Sequence, residues 1–410
     1  MVSPIVSFGP TIHYIDIIFA SLVCYGWMKR RRNTEIRSTI EYSIGKELAA
    51  FLGYTILLVF YSLSLGCSLT NALRFCVNIF HYSLYYFIPF ILVDIKQLKI
   101  FYRYLFIFLG MGYLIYISQN IFGWQPNAMA EFGSMSFVEK VGAFYRVWNP
   151  VQQWLVAAAC FSLTWVIFVK PSFKTITLFV GLLLFVFLSF TRNVYIGLIA
   201  AAFLLILQKN LYEGKQKKID TLRIVIIIVL VCIILLPFFP SVVERFQLGL
   251  VEMNEEQGSY GHRVNILLVA QALMNNPWLG MGFENVDIEY DLKSIDSVMS
   301  ASVNSGADSH LIMLYYRFGF IGMLLFSYIS ITFIRKTYHR IRVMGVHKES
   351  VFLIGALTYT LMIWIQAVAS STLLSEPSIS INVTLWAISD CIWRFYSVEK
   401  RSPGELNNLI

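Results

Sequence analysis

Charge at the border of an apolar run is the first feature of this sequence that could do chemistry, because ionisable residues at membrane depth are costly and are kept mainly for function. Arg192 stands in Leu188-Ser189-Phe190-Thr191-Arg192-Asn193, between two apolar runs joined by no more than a tight turn. The plainer reading is an interfacial arginine that snorkels to headgroups. His310 opens another apolar run in Asp308-Ser309-His310-Leu311-Ile312. An ordinary histidine pKa of about 6.5 suits proton transfer at neutral pH, although a histidine at a helix start more often caps or packs. Arg263, in Gly261-His262-Arg263-Val264-Asn265, precedes a helical stretch that ends at Pro277-Trp278-Leu279-Gly280-Met281-Gly282. The proline and glycines there impose a tight turn. Arg317 lies inside an apolar run and must face a cavity or the interior of a bundle. Asp287, Glu289 and Asp291 alternate like metal-binding acidic pairs. Neither a histidine nor a further carboxylate completes a ligand set, so a solvated loop face is the simpler reading and no metal is expected. No serine has a G-x-S-x-G setting, which speaks against serine hydrolysis.

The elements that must position these residues follow from composition. Of 410 residues, 57% are hydrophobic and only 14% are charged. A soluble chain carries roughly 25% charged residues, so this one cannot cover a water-facing surface in the usual way. Runs such as 221–240 and 310–334 reach the roughly 18–20 apolar residues that cross a bilayer as a helix. The fold class expected is an all-α, polytopic transmembrane helical bundle of one integral membrane domain over residues 1–410. About 11 spans fit, over 11–28, 48–68, 74–93, 101–122, 153–169, 174–190, 194–208, 222–239, 311–334, 351–372 and 379–395. The six cysteines lie in or beside apolar segments without C-x-x-C spacing and read as small hydrophobes, with a Cys67–Cys76 bridge as the alternative.

Net charge is +8, but 24 of the 32 Lys and Arg fall in one alternating set of short connections and chain ends. That bias is the positive-inside pattern, so the basic balance reports orientation rather than a nucleic-acid partner. It puts the N-terminus outside and the C-terminus in the cytoplasm. No cleavable leader is read before Lys29-Arg30-Arg31-Arg32. Two outer connections are long, 123–152 and 241–310. The second holds ten acidic residues against Arg245, Arg263 and Lys293, and has an apolar helical stretch of its own at 264–274. A connection of that length is usually functional. No internal repeat is visible.

Taken in order, these segments resemble the O-antigen polymerase and O-antigen ligase superfamily of bacterial polysaccharide assembly. The matching residues are Ser189-Phe190-Thr191-Arg192, then Arg263 with Pro277-Trp278-Leu279-Gly280-Met281-Gly282, then His310 with Gly319-Phe320-Ile321-Gly322. Tyr145-Arg146-Val147-Trp148-Asn149-Pro150 resembles the family's approach to an earlier span. The likeness covers roughly 140–330, and each motif is weak alone while the ordered set is more specific. Two departures stand out: Leu267 where the family often has Trp, and Leu311 where it often has Asn.

The resemblance implies a bacterial inner-membrane enzyme whose 123–152 and 241–310 connections are periplasmic loops, the larger one partly helical. Its substrate would be a glycan on undecaprenyl diphosphate, and its chemistry a metal-independent glycosyl transfer without a cofactor. Arg192 and Arg263 would steady the departing diphosphate, since guanidinium is an always-charged, forked donor. His310 would take the acceptor's proton. Arg146, Arg245, Arg317 and Tyr260 would bind substrate, the tyrosine by stacking on a sugar ring. Membrane lipid and a polysaccharide chain-length regulator complete the expected partners. A polymerase joining repeat units is preferred; the alternative is a ligase that passes polymer to the lipopolysaccharide core. A transporter or flippase of the same lipid-linked glycan is the rival from a different class. It would show matched halves and charges spread along the spans, whereas Arg317 is nearly alone there.

Overall fold

The computed structural model describes residues 4–6, 12–124, 138–141, 144–147, 151–169, 172–189, 191–213, 240, 273–283, 309–346, 348–367 and 376–401. It is mostly helical. In chain order the helices are α1 (Tyr14–Arg32), α2 (Thr34–Thr39), α3 (Gly45–Ser64), α4 (Leu69–Phe80), α5 (Ile88–Ile91), α6 (Ile95–Phe122), α7 (Val151–Phe168), α8 (Phe173–Leu188), α9 (Arg192–Glu213), α10 (His310–Met344), α11 (Lys348–Ala367) and α12 (Glu376–Arg401). Among the described residues, six helices are long and apolar enough to cross a membrane: α3, α6, α7, α9, α10 and α11. The chain is thus a multi-pass membrane protein.

Two short antiparallel hairpins depart from an all-helical reading, β1 (Pro4–Val6) with β2 (Ile12–His13) and β3 (Val138–Val141) with β4 (Phe144–Val147). The run 74–93, expected as one span, is three pieces: α4, a 3-10 turn at His81–Tyr86, and α5. Pro89 sits in the first turn of α5, where its missing N–H costs nothing, whereas inside a continuous helix it would remove a bond. The expected span 222–239 lies outside the described residues. Cys67 and Cys76 are both buried and unbridged, so the alternative disulfide does not form.

Local sequence sets the helix ends. Asp94 caps α6 by accepting from the Gln97 N–H at 2.7 Å, and the Gln97 side chain accepts in return from the Val93 N–H at 2.8 Å. Gly123 ends the same helix in the left-handed conformation, φ 66°. Burial separates centre from rim. In α11, 78% of the apolar stretch is buried, against 11% in α6, so α11 threads the bundle while α6 turns Tyr104, Phe106 and Leu114 outward as a lipid-facing side. Around α11 the core closes with Phe326 and Phe333 of α10, Tyr359 of α11, and Trp386 of α12 stacked on Tyr82 at 5.7 Å.

The two ends of the bundle are chemically distinct. At one end three buried cations are bound by protein: Arg340 pairs with Asp390, and its second nitrogen donates to the Glu41 carbonyl at 3.0 Å. Asp390 also accepts from Tyr85 and from the Ser43 N–H at 3.0 Å. Arg394 donates to the carbonyls of Pro89, Leu92 and Val93, and Lys209 to that of Ile167. Because α9 runs from Arg192 to beyond Lys209 at 1.5 Å per residue, its start lies roughly 26 Å away, at the other end.

Candidate functional site

At that other end, Arg192 and His310 are both helix starts. Arg192 is the first residue of α9. The turn before it is tied by Thr191, whose hydroxyl donates to the Ser189 carbonyl at 2.8 Å and accepts from Nε2 of the buried Gln152 at 3.2 Å. Tyr195, one turn into α9, clamps back on the Phe187 carbonyl at 2.8 Å. His310 is the first residue of α10, after the buried Ser309, whose hydroxyl donates to the Ala367 carbonyl at 3.2 Å. Ala367 ends α11, and its neighbour Gln366 reaches α9. A Cβ on Gly197 would come within 2.1 Å of Gln366 Nε2, so the Gln366 side chain lies directly on the bare backbone there. The end of α11 therefore draws the starts of α9 and α10 to one region.

Arg146 is on β4, in register with Glu139. The Val147 carbonyl that follows accepts from Tyr116 of α6 at 3.3 Å, and the Tyr145 ring covers Gly123. This hairpin leads into α7, whose first turn holds Gln152. Arg317 is buried in α10, about two helical turns or roughly 10 Å beyond His310. Arg263, Arg245 and Tyr260 lie outside the described residues, as do Asp287, Glu289 and Asp291. Among the described residues, no three His, Cys, Asp or Glu side chains come together as a metal site.

The best-defined feature is a break in α10. Gly319 has φ 63° and ψ −169°, a conformation essentially reserved for glycine, and it interrupts the helix two residues after Arg317. A broken helix at membrane depth exposes N–H and C=O groups that hydrocarbon cannot satisfy. The turn at 277–283 satisfies them. Met281 N–H donates to the Tyr316 carbonyl at 2.7 Å and Gly282 N–H to the Arg317 carbonyl at 3.0 Å. In return, Phe320 N–H donates to the Pro277 carbonyl at 3.0 Å and Ile321 N–H to the Trp278 carbonyl at 3.2 Å. The backbones approach too closely for side chains: a Cβ on Gly280 would lie 2.5 Å from Gly319 N, and one on Gly319 only 2.3 Å from the Trp278 oxygen. Trp278 meets Phe320 edge to face, and the buried Phe283 meets Phe318 in the same way.

Two motifs that the sequence reading kept apart, Pro277…Gly282 and Gly319…Gly322, are thus the two sides of one backbone junction. The signal that could have joined them is glycine itself: Gly280, Gly282 and Gly319 all have positive φ. Gln152, Gln366 and Ser309 carried no sequence signal, since a neutral polar residue at a span end is unremarkable by type.

Residues 177–327 match the family model described as O-antigen ligase. The matched segment runs from α8 into α10 and contains Arg192, Arg263, the turn at 277–282, His310 and Gly319. It supports the likeness to the O-antigen polymerase and ligase superfamily read from those motifs. No curated protein matches the chain in sequence.

Proposed function

From a segment of the O-antigen ligase and polymerase superfamily set in a helical membrane bundle, we propose that this protein is an O-antigen polymerase of the bacterial inner membrane. It joins oligosaccharide repeat units carried on undecaprenyl diphosphate, at the periplasmic face. The acceptor hydroxyl attacks the anomeric carbon of the donor glycan; a new C–O bond forms as the bond to diphosphate breaks, and undecaprenyl diphosphate leaves with the electron pair. His310 takes the hydroxyl proton. Arg192 and Arg263 meet the charge that develops on the leaving diphosphate, a stabilisation that needs no metal. Arg146, Arg245 and Arg317 bind substrate phosphate or sugar, and Tyr260 stacks on a sugar ring.

The observation that carries this reading is the meeting of the α9 and α10 starts at Gln366 and Ala367, which brings the residues Arg192 and His310 to one end of the bundle. The opposite end holds the basic connections, and by the positive-inside bias that end is cytoplasmic. A second reading, ligation of finished polymer to the lipopolysaccharide core, is favoured by the description of the matched family model. One experiment separates them: delete the gene in its host and display the lipopolysaccharide on a gel. A core capped by a single repeat unit is the polymerase result. Bare core, with polymer accumulating on undecaprenyl diphosphate, makes the protein the ligase. An unchanged ladder removes both.

A further inference from the structure

Helix α3 lies more than a hundred residues before the family-matched segment, yet one of its faces is hydrogen-bonded to the junction of turn and broken helix. Tyr54 Oη donates to the Phe318 carbonyl at 2.6 Å, the last carbonyl before the Gly319 break. Tyr61 Oη accepts from Asn276 Nδ2 at 3.0 Å and donates to the Gly280 carbonyl at 3.3 Å. Ser62 Oγ accepts from the Phe283 N–H at 2.8 Å while donating to the Leu58 carbonyl at 2.7 Å, so both of its roles are filled. Beside them the Phe51 ring packs on Phe318 at 5.6 Å. Positions 51, 54, 58, 61 and 62 follow helical spacing and form one stripe.

These bonds end on two elements. Tyr54 holds the α10 half that begins at His310 and carries Arg317; Tyr61 and Ser62 hold the turn at 276–283, inside the 241–310 connection. No one of these side chains reaches both elements; the stripe as a whole ties the turn to the helix segment before the break. We infer that Tyr54, Tyr61 and Ser62 are positioning residues for the transfer reaction: α3 is a fixed seat that holds the 276–283 turn against α10, so that this turn and the helix that His310 begins keep a set relation through turnover. This rests on the transferase reading of the same site.

The test uses the full chain in nanodiscs, with undecaprenyl-diphosphate-linked repeat units extracted from the producing strain. The triple variant Tyr54→Phe, Tyr61→Phe, Ser62→Ala should lower kcat by about ten- to a hundred-fold, the loss typical of a misplaced catalytic group, with KM moved no more than about two-fold. Hydrogen exchange at Met281, Gly282, Phe320 and Ile321 should speed up in parallel. Gly53→Ala, on the same helix where a Cβ meets nothing within 4 Å, should change neither quantity.

Wild-type kcat in the triple variant, or slow transfer with the four amides still protected, overturns the inference. If the wild-type chain transfers nothing from this donor, the polymerase reading fails instead, and the exchange measurement still decides whether α3 seats the turn.

Discussion

Replacing Gly319 by alanine tests the junction at its tightest point. In the wild-type chain four backbone hydrogen bonds cross between the 277–283 turn and α10. At a net worth of about 0.5–1.5 kcal/mol each, they hold the turn by about 2–6 kcal/mol. Alanine meets two obstacles there. Its backbone must adopt a φ and ψ that cost a non-glycine residue about 1–3 kcal/mol, and its Cβ would sit 2.3 Å from the Trp278 oxygen and 2.5 Å from Gly280 N. Those neighbours are backbone atoms and cannot swing aside as a side-chain tip could. The turn must therefore undock or the helix must shift, and either route removes at least about 2 kcal/mol, a factor of about thirty in the docked population. Hydrogen exchange in nanodiscs reads this directly: the amides of Met281, Gly282, Phe320 and Ile321 should exchange at least about thirty times faster. Gly110→Ala, where a new Cβ meets nothing within 4 Å, is the control. Wild-type protection in Gly319→Ala, or equal loosening in Gly110→Ala, would refute the reasoning.

The remaining expectations concern both ends of the bundle. Arg192→Ala, Arg263→Ala and His310→Ala should each abolish polymer on a lipopolysaccharide gel while membrane insertion is retained; a full ladder in both arginine variants removes the diphosphate site, and one in His310→Ala moves the base elsewhere. Arg340→Ala leaves the Asp390 carboxylate buried without its cation, and should cost about 3–5 kcal/mol in detergent unfolding. Replacing Arg340 and Asp390 together by leucine should cost clearly less than the single change; an equal cost would mean that the pair is not what the site depends on.

How much of this was legible in the sequence depends on the range of the interaction. The starts of α9 and α10 were readable because charge and histidine stand out at the edge of apolar runs. Pro277, Gly280 and Gly282 announced a turn by their own conformational preferences. Gly319 did not announce a break, because one glycine in an apolar run is tolerated, and its cause is a turn some forty residues earlier. The partners of Arg340 were equally silent: Asp390 is fifty residues on, and no periodicity links them. Tyr54 and Tyr61 looked like ordinary membrane aromatics, since only their hydroxyl partners distinguish them. The interruption of 74–93 was half written, in Pro89, while the 3-10 turn before it, where Tyr82 stacks on Trp386, has no local sequence signal.

The difference between the two ends bears on the proposed chemistry. At the basic end, three buried cations are matched to acceptors within the protein, Arg340 to Asp390, Arg394 to three carbonyls and Lys209 to one. At the other end, the described side chains that fix the α9 start, the α10 start and the turn are neutral: Gln152, Thr191, Ser309, Tyr54, Tyr61, Ser62 and Asn276. Neutral donors and acceptors can hold a helix start in place without cancelling the charge it carries, and in a poorly hydrated site a nearby carboxylate would cancel much of it. Gln152 is the sharpest case, bonded to the residue before Arg192. Gln152→Glu keeps the size but, like Gln152→Ala, removes the N–H that Thr191 accepts, and it adds a negative charge, so it should raise KM for the lipid-linked donor more than Gln152→Ala does, and the excess should shrink with added salt. If alanine is the worse of the two, Gln152 acts by geometry alone, and charge economy is not the reason for a glutamine there.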